Sequence, residues 1–211
     1  LSDIIFYDLE ISKTIEEAGG WKNHNNMGLG SAVAYSTNLD RYFFYLHESD
    51  KPKLINLLNG NRVVTYNGLN FDSKVLLGED RLISKSPGGV GIMVESRDHK
   101  ARWLEFDIYV QILKAQHSIK EAFFAIGKYP TSAKGGLKLD GVASATMGSN
   151  NIKTSTGAEA PKMYKAGDYA QLLEYNLQDT ILTKKMYEFI KENDFVKDAF
   201  GNRIDLFVNK K

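Results

Sequence analysis

Two acids one position apart inside an apolar strand constrain this chain more than any other feature. In Ile5-Phe6-Tyr7-Asp8-Leu9-Glu10 every other side chain is apolar or aromatic, and the run reads as a short strand covered on both faces. Strand side chains alternate between faces, so Asp8 and Glu10 point the same way, a few ångströms apart. Like charges placed there repel each other and resist leaving water. A fold that accepts them must bring them a compensating partner.

Two later stretches bring more acid instead. "VTYNGLNFDSKVLL" sets Asp72 just after a buried strand, in the first turn of a helix, where active-site residues of α/β sheets often lie. "LLEYNLQDTILTKKMY" sets Tyr175 and Asp179 four apart on one helical face, about 5–6 Å between Cβ atoms. Leu172, Leu182 and Met186 surround Asp179 at helical spacing, so that face turns toward the body of the protein. No Arg or Lys at matching spacing is a conspicuous partner. Four converging carboxylates are untenable without cations, and all-oxygen ligation selects Mg²⁺ or Mn²⁺ over zinc. Two such ions about 4 Å apart can hold a phosphodiester, activate water and stabilise the departing oxygen. The Tyr175 phenol, one turn before Asp179, is placed to orient that water. Asp-x-Glu and Tyr-xxx-Asp are each common by chance; the weight lies in their order, first strand, strand-to-helix junction, late helix.

The rest of the chain fits an α/β fold with a mixed sheet of five strands flanked by helices, in a single domain over residues 1–211. Strands are expected at 4–9, 30–37, 41–47, 62–67 and 102–109, the second and third forming a hairpin. Helices are expected at 51–58, capped by Ser49 or Asp50, and from near Asn70 through Leu77. Others follow at 118–126, opened by Ser118 with Glu121, at 139–147, and from Asp168 with Gln171 to about residue 192. Residues 12–27 form a polar excursion carrying Gly19-Gly20-Trp21; 84–100 and 148–162 read as loops, and 195–208 as a small hairpin turning at 199–202.

Composition narrows the setting. A protein that holds nucleic acid through a broad basic surface usually carries more than the formal net charge of +1 found here. Basic charge is nonetheless uneven, with six lysines against Asp140 and Glu159 between Lys128 and Lys165. The absence of cysteine excludes disulfides and thiolate metal sites and fits a reducing, cytoplasmic setting. No apolar run approaches the about 18 residues of a membrane span, and no signal-peptide pattern opens the chain.

"YDLE", "YNGLNFD" and "YNLQD", in that order, resemble the three motifs of the DEDDy group of 3′–5′ exonucleases, in the ribonuclease H-like superfamily. The second motif is similar to that of the proofreading exonuclease of family B DNA polymerases. The order of "DLE", "GGW", "KLDGVA…MG…K" and "YEFIKEN" is similar to that of stand-alone or helicase-linked predicted exonucleases. The similarity spans about residues 3–192 and leaves 80–100 unmatched. It implies a ribonuclease H-like fold and two divalent ions, Mg²⁺ or Mn²⁺, held by Asp8, Glu10, Asp72 and Asp179. It implies Tyr175 as the water-positioning residue; histidine-type relatives place His where this chain has Glu174. It also implies Asn67 and Phe71 as contacts to the 3′-terminal nucleotides, and release of nucleoside 5′-monophosphates from a single-stranded or frayed 3′ end of DNA or RNA. A helicase or other DNA-processing protein is the implied partner.

Asp107, after "RWLEF", reads as a helix cap or an acid behind the ligands rather than a fifth ligand. His24, His47, His99 and His117 read as ordinary. Trp21 is either a base-stacking or a structural tryptophan, and Lys153 and Lys162 are either phosphate contacts or solvated loop lysines. The same acids also suit a structure-selective endonuclease on this fold. A non-catalytic nucleic-acid-binding or helicase-accessory module and a small-molecule enzyme complete the alternatives.

Overall fold

The computed structural model describes residues 2–86, 91–117, 136–148 and 157–206. Its main sheet has seven strands: β1 (Ile4–Ile11), β2 (Leu29–Ser36), β3 (Arg41–Leu46), β4 (Arg62–Thr65), β5 (Leu82–Lys85), β6 (Ile92–Glu95) and β7 (Arg102–Asp107). Their order is β3-β2-β1-β4-β7-β6-β5. β1, β4 and β7 run parallel at the centre, while β2–β3 and β6–β5 extend each side antiparallel. A mixed α/β sheet was expected, but with five strands; β5 and β6 fall where Pro87-Gly88-Gly89 made residues 84–100 read as loop. The segments to either side of that breaker, "LISK" and "IMVE", carry apolar and β-branched residues; they pair with each other, and "IMVE" pairs with β7.

Helices cover both faces of the sheet: α1 (His24–Met27), α2 (Lys51–Leu58), α3 (Asp72–Leu77), α4 (Ile108–His117), α5 (Leu139–Met147), α6 (Ala160–Ala166) and α7 (Tyr169–Asn193). β1 separates two cores. Ile5, Tyr7, Leu9 and Ile11 pack with Leu54 and Leu58 of α2 and Val75 and Leu76 of α3. Phe6, on the opposite face, packs with Val64, Ile108 and Ile112 of α4, and Leu182, Met186 and Ile190 of α7. Period-two alternation thus puts Asp8 and Glu10 on the face that α7 covers. α4 begins where the last sheet strand was expected to continue, and α6 occupies the end of the expected 148–162 loop, with Pro161 in its first turn. The expected helix at 118–126 lies outside the described residues. Asp50 and Asp168 stand at the N-caps of α2 and α7, but neither makes a side-chain cap. Asp50 instead accepts from Leu46 N at 2.9 Å and pairs with Lys53. β8 (Phe195–Lys197) and β9 (Arg203–Asp205) form the expected terminal hairpin, its turn held by Asp198 accepting from Phe200 N and Asn202 N. Among the described residues no helix is long and apolar enough to cross a membrane.

The turn after β4 carries the second motif. Asn67 has a left-handed φ of +71°, which Asn tolerates better than most residues. Gly68 is required for a different reason: a Cβ there would lie 2.5 Å from Thr65 Oγ1 and 2.6 Å from Glu105 Oε1. Those two atoms are buried and hydrogen-bonded to each other at 2.7 Å, so neither can give way cheaply. Gly68→Ala should therefore destabilise the fold by about 1–3 kcal/mol, read as a lower urea midpoint at unchanged m-value.

Candidate functional site

The C-terminal ends of β1, β4 and β7 open together into a cleft of about 850 Å³. Its lining includes Asp8 and Glu10 from β1, Asn67 and Phe71 from the β4–α3 turn, Asp72 from α3, and Tyr175 and Asp179 from α7. This is the end of a parallel sheet at which α/β proteins place their ligands. Carboxylate oxygens of Asp8, Glu10 and Asp179 lie within 4.8 Å of one another. Glu10 and Asp179 are buried and Asp8 is half-buried.

α7 makes that convergence by changing character along one face. Leu182, Met186 and Ile190 fill the distal core, whereas Tyr175, Asn176, Asp179, Thr180 and Thr183 are buried polar groups toward the cleft. Asn176 donates through Nδ2 to Asp8 Oδ2 at 2.5 Å, and the Thr180 hydroxyl sits 3.0 Å from the Val33 carbonyl of β2. These contacts hold the helix against β1 and β2 and set the height at which Asp179 meets Asp8 and Glu10. Burial and the charges of Glu10, Asp179 and Asp8 push the Tyr175 phenol well above its ordinary pKa, so it keeps its proton.

Asp72 stands beside the trio rather than within it. Its Oδ1 accepts from Leu9 N at 3.1 Å, which ties α3 to β1 between the two strand acids. Burial, then Asp8, then Glu105 push its carboxyl well above the ordinary range. Phe71 is half-buried at the cleft wall, and Asn67 accepts from Asn70 Nδ2 at 3.1 Å. Lys153 lies outside the described residues. Lys162 pairs with Glu159 on α6's exposed surface, and Lys165 pairs with Glu17. Lys138 lines the cleft, a cation that residue spacing had not singled out.

Behind the cleft lies a second tier of acids that sequence reading missed in part. Asp107 closes β7 and accepts from Asn67 N at 2.8 Å, Leu69 N at 3.0 Å and Val110 N at 3.3 Å. It therefore caps α4 and pins the motif turn, and burial raises its pKa to about 6 against those hydrogen bonds. Glu105, fully buried two residues before Asp107 on the same face of β7, accepts from Thr65 Oγ1 and from Trp103 Nε1 at 3.0 Å. Burial first, and the Asp107 charge second, raise it from 4.5 to about 7. Arg81, itself buried, donates to Ser73 Oγ and the Leu69 carbonyl and lies close enough to act electrostatically on Glu105. The signal that could have found Glu105 is its place in "WLEFD", an acid at a core-facing strand position two before Asp107.

The donor set suits hard divalent cations. It is carboxylate only, clustered within the reach of one ion, and closed to soft metals by the absence of cysteine.

No model of a known protein family matches this chain, and no curated protein sequence does. Among solved structures, the family B DNA polymerase from the hyperthermophilic archaeon Pyrobaculum calidifontis matches with a TM-score of 0.58 at 14% identity. The match covers 90% of this chain and 24% of the polymerase chain, so this chain corresponds to less than a quarter of that protein. At that identity the similarity is one of fold.

The raised acid behind the site has a defined pH signature. Glu105 holds its proton more tightly folded, at about 7, than unfolded, at 4.5, so the folded state loses stability as pH rises between those values. The loss is about 3 kcal/mol as an upper bound. Glu105→Gln should flatten the fall in melting temperature between pH 5 and 8 in metal-free buffer, raising it at pH 8. An unchanged slope would mean that Glu105 titrates normally.

Proposed function

We propose that this chain is a metal-dependent 3′–5′ exonuclease with a ribonuclease H-like fold, releasing nucleoside 5′-monophosphates from a 3′ end of DNA or RNA. The observation that carries the reading is the meeting of Asp8, Glu10 and Asp179 within 4.8 Å, with Asp72 alongside and Tyr175 one turn before Asp179. The three sequence motifs resemble those of DEDDy exonucleases, and the fold is similar to that of a family B DNA polymerase.

Asp8, Glu10, Asp179 and Asp72 hold two Mg²⁺ or Mn²⁺ ions in this reading. Bound there, such ions would supply Lewis acidity for activating water and positive charge against that developing on the phosphate. Tyr175, buried and protonated, orients the water through its hydroxyl. Asn176 keeps one Asp8 oxygen fixed, so its metal-facing lone pairs are directed into the cleft. Asn67 and Phe71 contact the terminal nucleotides, and Lys153, before α6, contacts the backbone. A helicase or other DNA-processing protein is the natural source of the frayed end.

Two measurements test the reading. Millimolar Mg²⁺ or Mn²⁺ should raise the melting temperature, by the equivalent of about 2.7 kcal/mol at a hundred times the dissociation constant, and Asp8→Ala should abolish the rise. With 5′-labelled single-stranded DNA and RNA, the wild type should give a ladder shortened from the 3′ end. Asp8→Ala and Asp179→Ala should give none, and Tyr175→Phe should be slower by about a hundredfold. Internal cuts would point to the endonuclease; binding without cleavage would point to the accessory module. Equal activity in all variants would overturn the site.

A further inference from the structure

The cleft has an aromatic rim that the acid chemistry does not use. Trp21 is 49% exposed although it is one of the largest apolar side chains in the protein. It does not hang free. Its ring stacks on Phe71 with centroids 5.6 Å apart and planes 23° from parallel, and its edge meets the buried His24 ring at 5.5 Å. His24 also contacts Phe71 edge-on at 5.7 Å and is anchored by Glu79. Trp21 and Phe71 both line the cleft that holds Asp8, Glu10 and Asp179, and Phe71 directly precedes Asp72.

The loop that carries Trp21 is built rather than slack. Thr14 and Glu17 exchange reciprocal backbone-to-side-chain hydrogen bonds at 2.9 and 3.3 Å, and Gly20 N donates to Ile15 O at 2.8 Å. Gly19 and Gly20 then turn the chain at φ of +86° and +111°, conformations that L side chains rarely adopt, and deliver the next residue to the rim. Leaving so much indole in water is unfavourable by itself, yet one face is already covered by Phe71. The open face is a flat apolar surface whose orientation is fixed in advance, which is what a planar aromatic ligand requires.

We infer that Trp21 is a base-stacking platform that takes an unpaired nucleobase of the strand entering the cleft. The identity of the ligand rests on the nuclease reading of the acids. Stacking reads the π-face common to all bases, so the platform selects an unpaired end without selecting sequence. A paired terminus must fray before it can engage. Trp21 is thus a positioning residue that favours single-stranded ends.

The protein's two tryptophans make the test direct. Trp103 is buried at 1% exposure, so quencher-accessible emission reports Trp21. A 5′-labelled phosphorothioate oligothymidylate, which resists hydrolysis, is titrated with Ca²⁺ present, reading anisotropy for binding and indole emission for stacking. Binding should quench Trp21. Trp21→Ala should weaken binding about tenfold, Trp21→Phe should restore most of it, and removing the 3′-terminal bases should act like Trp21→Ala. Wild-type binding without quenching, no wild-type binding, or unchanged affinity in a folded Trp21→Ala would overturn the inference. Quenching by the phosphorothioate, with the unmodified phosphodiester oligothymidylate never cleaved in Mn²⁺, would keep the platform and sink the nuclease. Cleavage by Trp21→Ala with wild-type KM on single strands would do the reverse.

Discussion

The structure depends on how α7 is seated across β1 and β2. Asp8 and Glu10 share a face because a strand alternates, but nothing in β1 alone compels Asp179 to join them. Asn176 on Asp8 and Thr180 against the Val33 carbonyl fix the helix at the cleft end, while Leu182, Met186 and Ile190 fix it at the other. The apolar half supplies the driving force, since burying each such side chain is worth about 1.5–3 kcal/mol. That energy offsets the mutual repulsion of carboxylates pressed together at the polar half. The same helix therefore stabilises the fold and brings a third carboxylate up to the two strand acids.

How much of this was legible in the sequence follows from the range of each interaction. The strand acids, the β2–β3 hairpin, α2, α5 and α7 announce themselves through local periodicity, and the order of Asp8, Asp72 and Asp179 could be read without knowing any distance. The helix faces were less plain. Tyr175 and Asp179 point inward because Leu172 and Leu182 do, but nothing in the sequence marks the polar residues Asn176, Thr180 and Thr183 as buried beside them. They are buried because they meet other polar groups, a fact set by residues some 150 positions away in the chain. The strands β5 and β6 were hidden differently. The Pro-Gly-Gly between them signalled a break, and a break between two short strands was read as the absence of strands. Pairing of β6 with β7, and of β5 with β6, is the longer-range support that neither segment shows by itself. Asp50 and Asp168 show the converse error, since both occupy the expected cap positions and neither side chain makes the cap.

Glu105 and Asp107 clarify why the second motif has its form. The turn Asn67-Gly68-Leu69 crosses the end of β4 so closely to β7 that its backbone N–H groups at 67 and 69 have no strand partner. Asp107 accepts both. Glu105, one layer down, accepts from Thr65, and the pair leaves no room for a side chain at residue 68. An Asn that tolerates left-handed φ, a Gly without Cβ and an apolar residue that reaches the core are thus dictated by the acid tier beneath them. The turn in its place then presents Phe71 to the cleft and Asp72 to Leu9 N.

The two tiers of acid differ in what can relieve them. Asp107 accepts from three backbone N–H groups, and Glu105 from a hydroxyl and an indole N–H, so the inner acids find hydrogen-bond partners within the protein although burial still raises the pKa of both. The cleft acids face an open volume instead, where an ion can reach them. The two tiers divide the work: the inner one fixes backbone positions to within the tolerance of a hydrogen bond, and the outer one inherits that geometry at the wall of the cleft. An acid cluster on mobile loops would spread apart under its own repulsion before a cation arrived. Built on a central strand, a stapled turn and a 25-residue helix, this one is held together by the fold itself, and its repulsion has to be met by neighbouring donors or by positive charge from the cleft.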